Sequence, residues 1–248
     1  MSLEACAELV RRGDPDRFLA TMAAPPEARR VLFAIYAFNV EVARAPWVTE
    51  ESTIAEMRLQ WWRDALDEIA QGGPVRPHEV TTLLTDVLDT KGAGLLDRLI
   101  QARRWDIYRD PFQDSDHFAD YLDQTAGNLA WVTVRALGCE AGENDVRAIA
   151  WASGLANWFL AVPKLVARGR LPLVDGRPEA VRALALEGLQ RLTQAHPPKS
   201  ARAGLLAAWR ARGILRRAQA APDRVAAGAL EESDFRRKAG LFWASTKV

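Results

Sequence analysis

Ala148-Ile149-Ala150-Trp151-Ala152-Ser153-Gly154-Leu155-Ala156-Asn157-Trp158-Phe159-Leu160-Ala161-Val162-Pro163 is the longest run without a charge in the chain. Its sixteen residues fall short of the roughly 20 apolar residues that cross a bilayer. Ser153, Gly154 and Asn157 interrupt the run, and Pro163 ends it. It reads as a helix buried on all sides in a large core. Outward from it the apolar spacing stays helical, with no convincing alternating strand. Gly and Pro punctuation divides the chain into helices over 3–12, 15–23, 27–45, 51–71, 78–90, 94–108, 115–137, 143–167, 178–195, 199–220 and 232–245. Thr49 before Glu50 and Glu51, and Asp114-Ser115-Asp116, are suited to helix starts. The irregular stretch 168–177 is too short to separate one domain from another, so residues 1–248 form a single all-α domain.

Composition narrows the function. Cys6 and Cys139 cannot build a disulfide framework or a Cys-rich zinc site. His78, His117 and His196 lie far apart, without metal-ligand spacing. The N-terminus reads as having no secretory signal, so a cytoplasmic protein is expected. The nine Trp residues suit core packing or an aromatic-lined cavity. Net charge is +1, and no nucleic-acid reading motif occurs. From Pro197 onward, however, eleven Lys/Arg face four Asp/Glu. That basic region, 197–248, suits either an anionic surface or solvated helix faces. Within it Trp209, Arg210, Arg216 and Arg217 are the candidates for a membrane or partner surface.

Phosphate loops, nucleophile elbows and zinc-protease motifs are all missing. Three acid pairs have the i, i+4 spacing that lets one helix face grip Mg²⁺: Asp64/Glu68, Asp106/Asp110 and Asp116/Asp120. Each has a plainer reading, as a solvated face, a turn or a helix start.

The ordered set of segments is similar to the squalene/phytoene synthase family. Arg30-Val31-Leu32-Phe33-Ala34-Ile35-Tyr36-Ala37-Phe38 resembles that family's first core helix, and Arg58-Leu59-Gln60-Trp61-Trp62-Arg63-Asp64-Ala65-Leu66 resembles the next. Tyr121 with Thr125-Ala126-Gly127, Gly154-Leu155-Ala156-Asn157 and Arg168-Gly169-Arg170 continue the match over about 14–220. The resemblance implies an isoprenoid synthase type of helical bundle around a central cavity. It also implies head-to-head joining of prenyl diphosphates, with Mg²⁺ held by two Asp-x-x-x-Asp motifs. On this chain those acid positions fall at about Ala43, Trp47, Ala161 and Leu165. Glu41 is two residues early and points about 200° away on a helix; no acid occurs between Arg147 and Asp175. Mg²⁺ needs hard oxygen ligands, so prenyl transfer is expected to be lost, with no cofactor. Glu41 and Arg44 read as a local i, i+3 pair.

Ala37-Phe38-Asn39-Val40-Glu41-Val42-Ala43-Arg44 and Met57-Arg58-Leu59-Gln60 resemble a subgroup, the synthase-like assembly factor of mitochondrial respiratory complex I. This implies a non-enzymatic role in building NADH:quinone oxidoreductase, in partnership with a subunit or assembly intermediate, at or near the inner membrane. Two alternatives stay open: a working prenyl synthase with ligands relocated to residues such as Asp106 and Asp110, or a carrier of isoprenoid or quinone lipid. The resemblance nominates Tyr36, Phe38, Asn39, Arg58, Tyr121, Thr125, Asn157 and Trp158 as cavity lining. Stripped of acids, that cavity is expected to be more apolar, and either to hold an isoprenoid chain or to pack shut around its aromatic side chains.

Overall fold

The computed structural model describes residues 3–246, and among these every regular element is helical. In order they are α1 (Leu3–Gly13), α2 (Pro15–Ala23), α3 (Arg29–Arg44), α4 (Ser52–Gln71), α5 (Glu79–Val87), α6 (Thr90–Arg103) and α7 (Ser115–Leu122). There follow α8 (Asn128–Ala136), α9 (Glu143–Ala167), α10 (Pro178–Gln194), α11 (Arg202–Leu205), α12 (Ala211–Ala220), α13 (Asp223–Ala226) and α14 (Asp234–Ser245).

The helix starts follow local chemistry. Asp14 caps α2, accepting from the Arg17 amide, and Pro15 fills the first turn, where its missing N–H is harmless. Asp114 caps α7 as expected, accepting from the His117 amide at 2.8 Å. Thr49 instead serves a turn ahead of α4, accepting from the Glu51 amide at 3.1 Å. Helix α6 begins at Thr90 rather than at 94: Asp89 accepts from the Gly92 amide, so that glycine belongs to a capped first turn and not to a break. The expected 115–137 helix is interrupted by a π-helical turn at Asp123–Gly127. The expected 199–220 helix divides at the 3₁₀ turn Leu206–Ala208, and α13 follows where no helix was expected.

Two apolar cores form. Around α3, Leu32, Ile35 and Phe38 pack with Leu96, Leu99 and Ile100 of α6 and Leu129 and Trp131 of α8. Around α9, Trp151, Leu155 and Phe159 pack with Val181 and Ala185 of α10 and Ile214 and Leu215 of α12. Burying each such side chain contributes about 1.5–3 kcal/mol. By length and composition α9 could cross a bilayer, but half of its most apolar window is buried here. It is not enclosed on every side, as the sequence suggested. Gly154, Asn157, Ala161, Lys164 and Arg168 recur at helical spacing and form a strip facing the cavity.

Candidate functional site

The cavity lies between the two cores and has a volume of about 340 Å³, near the lower end of the roughly 300–1,000 Å³ typical of ligand pockets. It is open rather than packed shut. Asn39 and Ala43 of α3, Trp47, the α9 strip, and Leu122, Thr125 and Ala126 form its wall. The π-helical turn supplies Thr125 and Ala126; such turns recur at functional sites because they shift side chains out of helical register. Thr125 Oγ1 donates to the Tyr121 carbonyl at 2.6 Å, so its hydroxyl is satisfied within the wall.

A buried polar cluster borders the cavity. Asp106 is 2% exposed and accepts from Tyr121 Oη at 2.9 Å and from Arg103 Nη1 at 3.1 Å. Arg103 Nη1 also donates to Tyr121 Oη at 2.7 Å. Burial opposes the charge on Arg103, but Tyr121 and Asp106 outweigh it and hold the guanidinium above its ordinary pKa range. Burial pushes the Tyr121 hydroxyl up strongly, so it stays protonated as a donor. Arg170 fixes the backbone of this cluster from behind. It donates to the Asp106 and Tyr108 carbonyls and sits over the rings of Trp47 and Trp105. Gly169, at φ +74°, makes the left-handed turn that ends α9 and lets the Arg170 amide reach the Leu165 carbonyl at 3.0 Å.

The mouth of the cavity is basic, which differs from the apolar character expected. Arg17, Arg103, Lys164 and Arg168 line it against a single acid, Asp106. It opens into a vestibule of about 970 Å³ that shares Arg17, Lys164 and Arg168. The vestibule's acids are partly spent: Glu8 pairs with Arg11 and Arg12, and Asp14 with Arg17. Arg168 stacks over Trp47 at 4.8 Å.

Of the nominated lining residues, Asn39, Tyr121, Thr125, Asn157 and Trp158 do face the cavity. Three do not line it. Phe38 is one residue off Asn39, hence about 100° round the helix, and packs edge-on against Trp62 with centroids 5.5 Å apart. Tyr36 lies deeper and donates to the Gly204 carbonyl at 3.2 Å; burial raises its pKa to about 12. Arg58 is exposed on the outer side of α4, next to buried Leu59. Ala43, Trp47, Ala161 and Leu165 all reach the cavity wall. Sequence reasoning missed Arg17 and Arg103, which arrive from α2 and α6 through tertiary packing. Lys164 was legible: it lies seven residues beyond Asn157 and four before Arg168, on the same helix face.

The three acid pairs are not cavity ligands. Asp64 and Glu68 both contact Arg76, at 3.5 and 2.7 Å. Helix α6 stops before Asp106, so Asp106 and exposed Asp110 do not share a helix face. Asp116 lies in the exposed first turn of α7, and Asp120 pairs with Gln124 at 3.2 Å. Glu41 and Arg44 form the expected pair, at 3.3 Å. The four surface candidates of the C-terminal region are placed differently from one another. Arg210 is buried between Asp16 and Glu231, Arg217 reaches Glu232 at 2.5 Å, and Trp209 packs against the first core. Of those four candidates only Arg216 is exposed.

Helices enclosing a central cavity between two cores define the isoprenoid synthase type of fold. A crystal structure of a dehydrosqualene synthase superposes with TM-score 0.71 at 14% identity, over 98% of this chain and 95% of that one. Residues 10–175 match the family described as squalene/phytoene synthase, and the chain belongs to that family. It is also 30% identical over 181 residues to a Drosophila melanogaster protein named NADH dehydrogenase (ubiquinone) complex I, assembly factor 6 homolog, covering 68% of this chain and 53% of that protein. The Bos taurus protein named complex I assembly factor 6 is 28% identical over 181 residues, 67% of this chain and 51% of that protein. The chain thus spans about half the length of these curated relatives.

Mg²⁺ held over the cavity would require several hard oxygen ligands. The wall offers one carboxylate, already engaged by Tyr121 and Arg103, among four cations. Among the described residues no three His, Cys, Asp or Glu side chains converge. The residues present do not fit the ion.

Proposed function

We propose that this chain is a non-catalytic member of its family that serves the assembly of respiratory complex I, the NADH:quinone oxidoreductase, from the cytoplasm at the inner membrane. The observation that carries the reading is the cavity wall. The four positions that the family resemblance assigns to metal-binding acids are Ala43, Trp47, Ala161 and Leu165, and all four reach that wall. Ionising a prenyl diphosphate requires stabilising a departing group of several negative charges, and metal ions supply much of that stabilisation. Apolar side chains at these positions remove it. The relatives named complex I assembly factor 6 support the choice of process.

The open cavity supports a second element, binding of an isoprenoid or quinone lipid with its tail against Trp158, Leu122 and Leu129. The enzyme alternative would need relocated ligands, and the separation of Asp110 from Asp106 weighs against it. The test is deletion of the gene followed by assay of NADH:quinone reductase activity in membranes. Activity falls on deletion and returns with the plasmid-borne gene; unchanged activity contradicts the reading. A stoichiometric lipid extracted from purified protein would support the carrier element.

A further inference from the structure

Helix α14 is amphipathic, and its apolar side faces outward. At about 100° per residue, taking Phe235 as origin, Phe242 falls at about −20°, Ala239 at about 40° and Trp243 at about 80°. Arg236 borders this arc at about 100° and Lys238 at about −60°. The opposite side holds the helix to the body. Arg237 donates to Asp16 at 2.6 Å and pairs with Asp234, and Leu241 and Ala244 pack on the first core. Phe235, Phe242 and Trp243 are 82%, 63% and 68% exposed. No ion pair forms at Arg236 or Lys238 among the described residues.

We infer that the outer face of α14 is the docking surface for an anionic lipid bilayer. Three large aromatic side chains fixed on one face, with a basic residue at each border, match the two demands of the interface. The rings enter the acyl boundary, and the long basic side chains reach back to the phosphates. Charge complementarity selects this occupant: the two cations that border the aromatic arc lack acidic partners among the described residues, while the neighbouring Arg237 is spent on Asp16 and Asp234. The helix is anchored by Arg237 before any lipid arrives, so little ordering entropy opposes docking. This moves the membrane contact away from Arg210 and Arg217, which are spent on ion pairs inside the fold. The inference deepens the membrane element of the function proposed above without depending on complex I. Vesicle binding and gene deletion can therefore fail separately.

The test is flotation of the full chain with phosphatidylcholine vesicles, with and without phosphatidylglycerol, at low salt. The chain floats with the anionic vesicles, and binding falls with added salt. Arg236→Gln with Lys238→Gln weakens it about 25-fold, at about fivefold per basic residue near a charged surface. Phe235→Ser, Phe242→Ser and Trp243→Ser together reduce it by about 100-fold or more while the thermal midpoint holds, because these rings are exposed and their loss empties no core. Arg216→Gln, at an exposed position of α12 outside the docking face, leaves binding within about twofold of wild type, well short of the roughly fivefold per basic residue expected at the membrane. Undiminished flotation of the aromatic variant overturns the inference. So does concentration-dependent dimerisation that the aromatic variant abolishes while wild-type protein ignores the vesicles, because the face then belongs to a second copy.

Discussion

Asp106 is the decisive position for separating a structural role from a catalytic one, and Asp106→Leu makes the separation measurable. The wild-type carboxylate takes hydrogen bonds from Tyr121 at 2.9 Å and Arg103 at 3.1 Å in a setting where Asp106 is 2% exposed. Removing it leaves a guanidinium, about one-fifth exposed, with only the Tyr121 oxygen beside it. Breaking a buried pair from one side costs about 3–5 kcal/mol. For a chain of this size that lowers the melting midpoint by about 6–20 °C. Replacing both partners, Arg103→Met with Asp106→Leu, removes the stranded charge and recovers a large share of the loss. Thermal unfolding followed by circular dichroism at neutral pH, with urea titration as a cross-check, reads both effects. A drop below about 2 °C in the single variant, or a double variant less stable than the single, would refute this reasoning.

Other outcomes follow from the same geometry. Burial raises the Cys6 thiol to about 11 from its ordinary 9.0. The stability this confers is whole below pH 9.0 and is lost as pH rises through about 11, so Cys6→Ala flattens the alkaline limb of a stability–pH curve, and an unchanged limb contradicts the assignment. Ala161→Trp puts an indole into the cavity of about 340 Å³; under the proposed carrier element it weakens saturable binding of prenyl or quinone lipid, read by titration, while the helical circular dichroism spectrum stays, and unchanged binding contradicts that element. Arg210 bridges Asp16 and Glu231 from a buried position. Arg210→Ala removes these charge-assisted contacts but leaves Asp16 paired with Arg237, so it costs about 1.5–3 kcal/mol in urea unfolding; a neutral result would return Arg210 to the surface role that its sequence suggested.

Periodicity carried most of the fold. Helices α3, α4, α9 and α10 lie within a residue or two of where apolar spacing, Pro and Gly put them, because long helices repeat their pattern often enough to be read. The π-helical turn at Asp123–Gly127 left no trace, since it redistributes backbone hydrogen bonds and not side-chain types. The Gly92–Gly94 break did not occur because Asp89 caps the turn that contains Gly92, an interaction that composition alone does not encode. At the site, resemblance delivered Asn39, Tyr121, Thr125, Asn157 and Trp158. It misphased Phe38 and Arg58, whose neighbours Asn39 and Leu59 take the inward directions. Electrostatics was the least legible layer. Arg17 and Arg103 come to the mouth from separate helices, while Arg210 and Arg217 look like surface charges until Asp16, Glu231 and Glu232 are folded against them.

The most direct measurement is product formation from labelled farnesyl and geranylgeranyl diphosphate with Mg²⁺ and the purified 248-residue chain. A wall with one engaged carboxylate predicts no squalene- or phytoene-type product above the protein-free blank. Mg²⁺-dependent product that disappears with Asp106→Asn, in a variant that remains folded, would contradict the account.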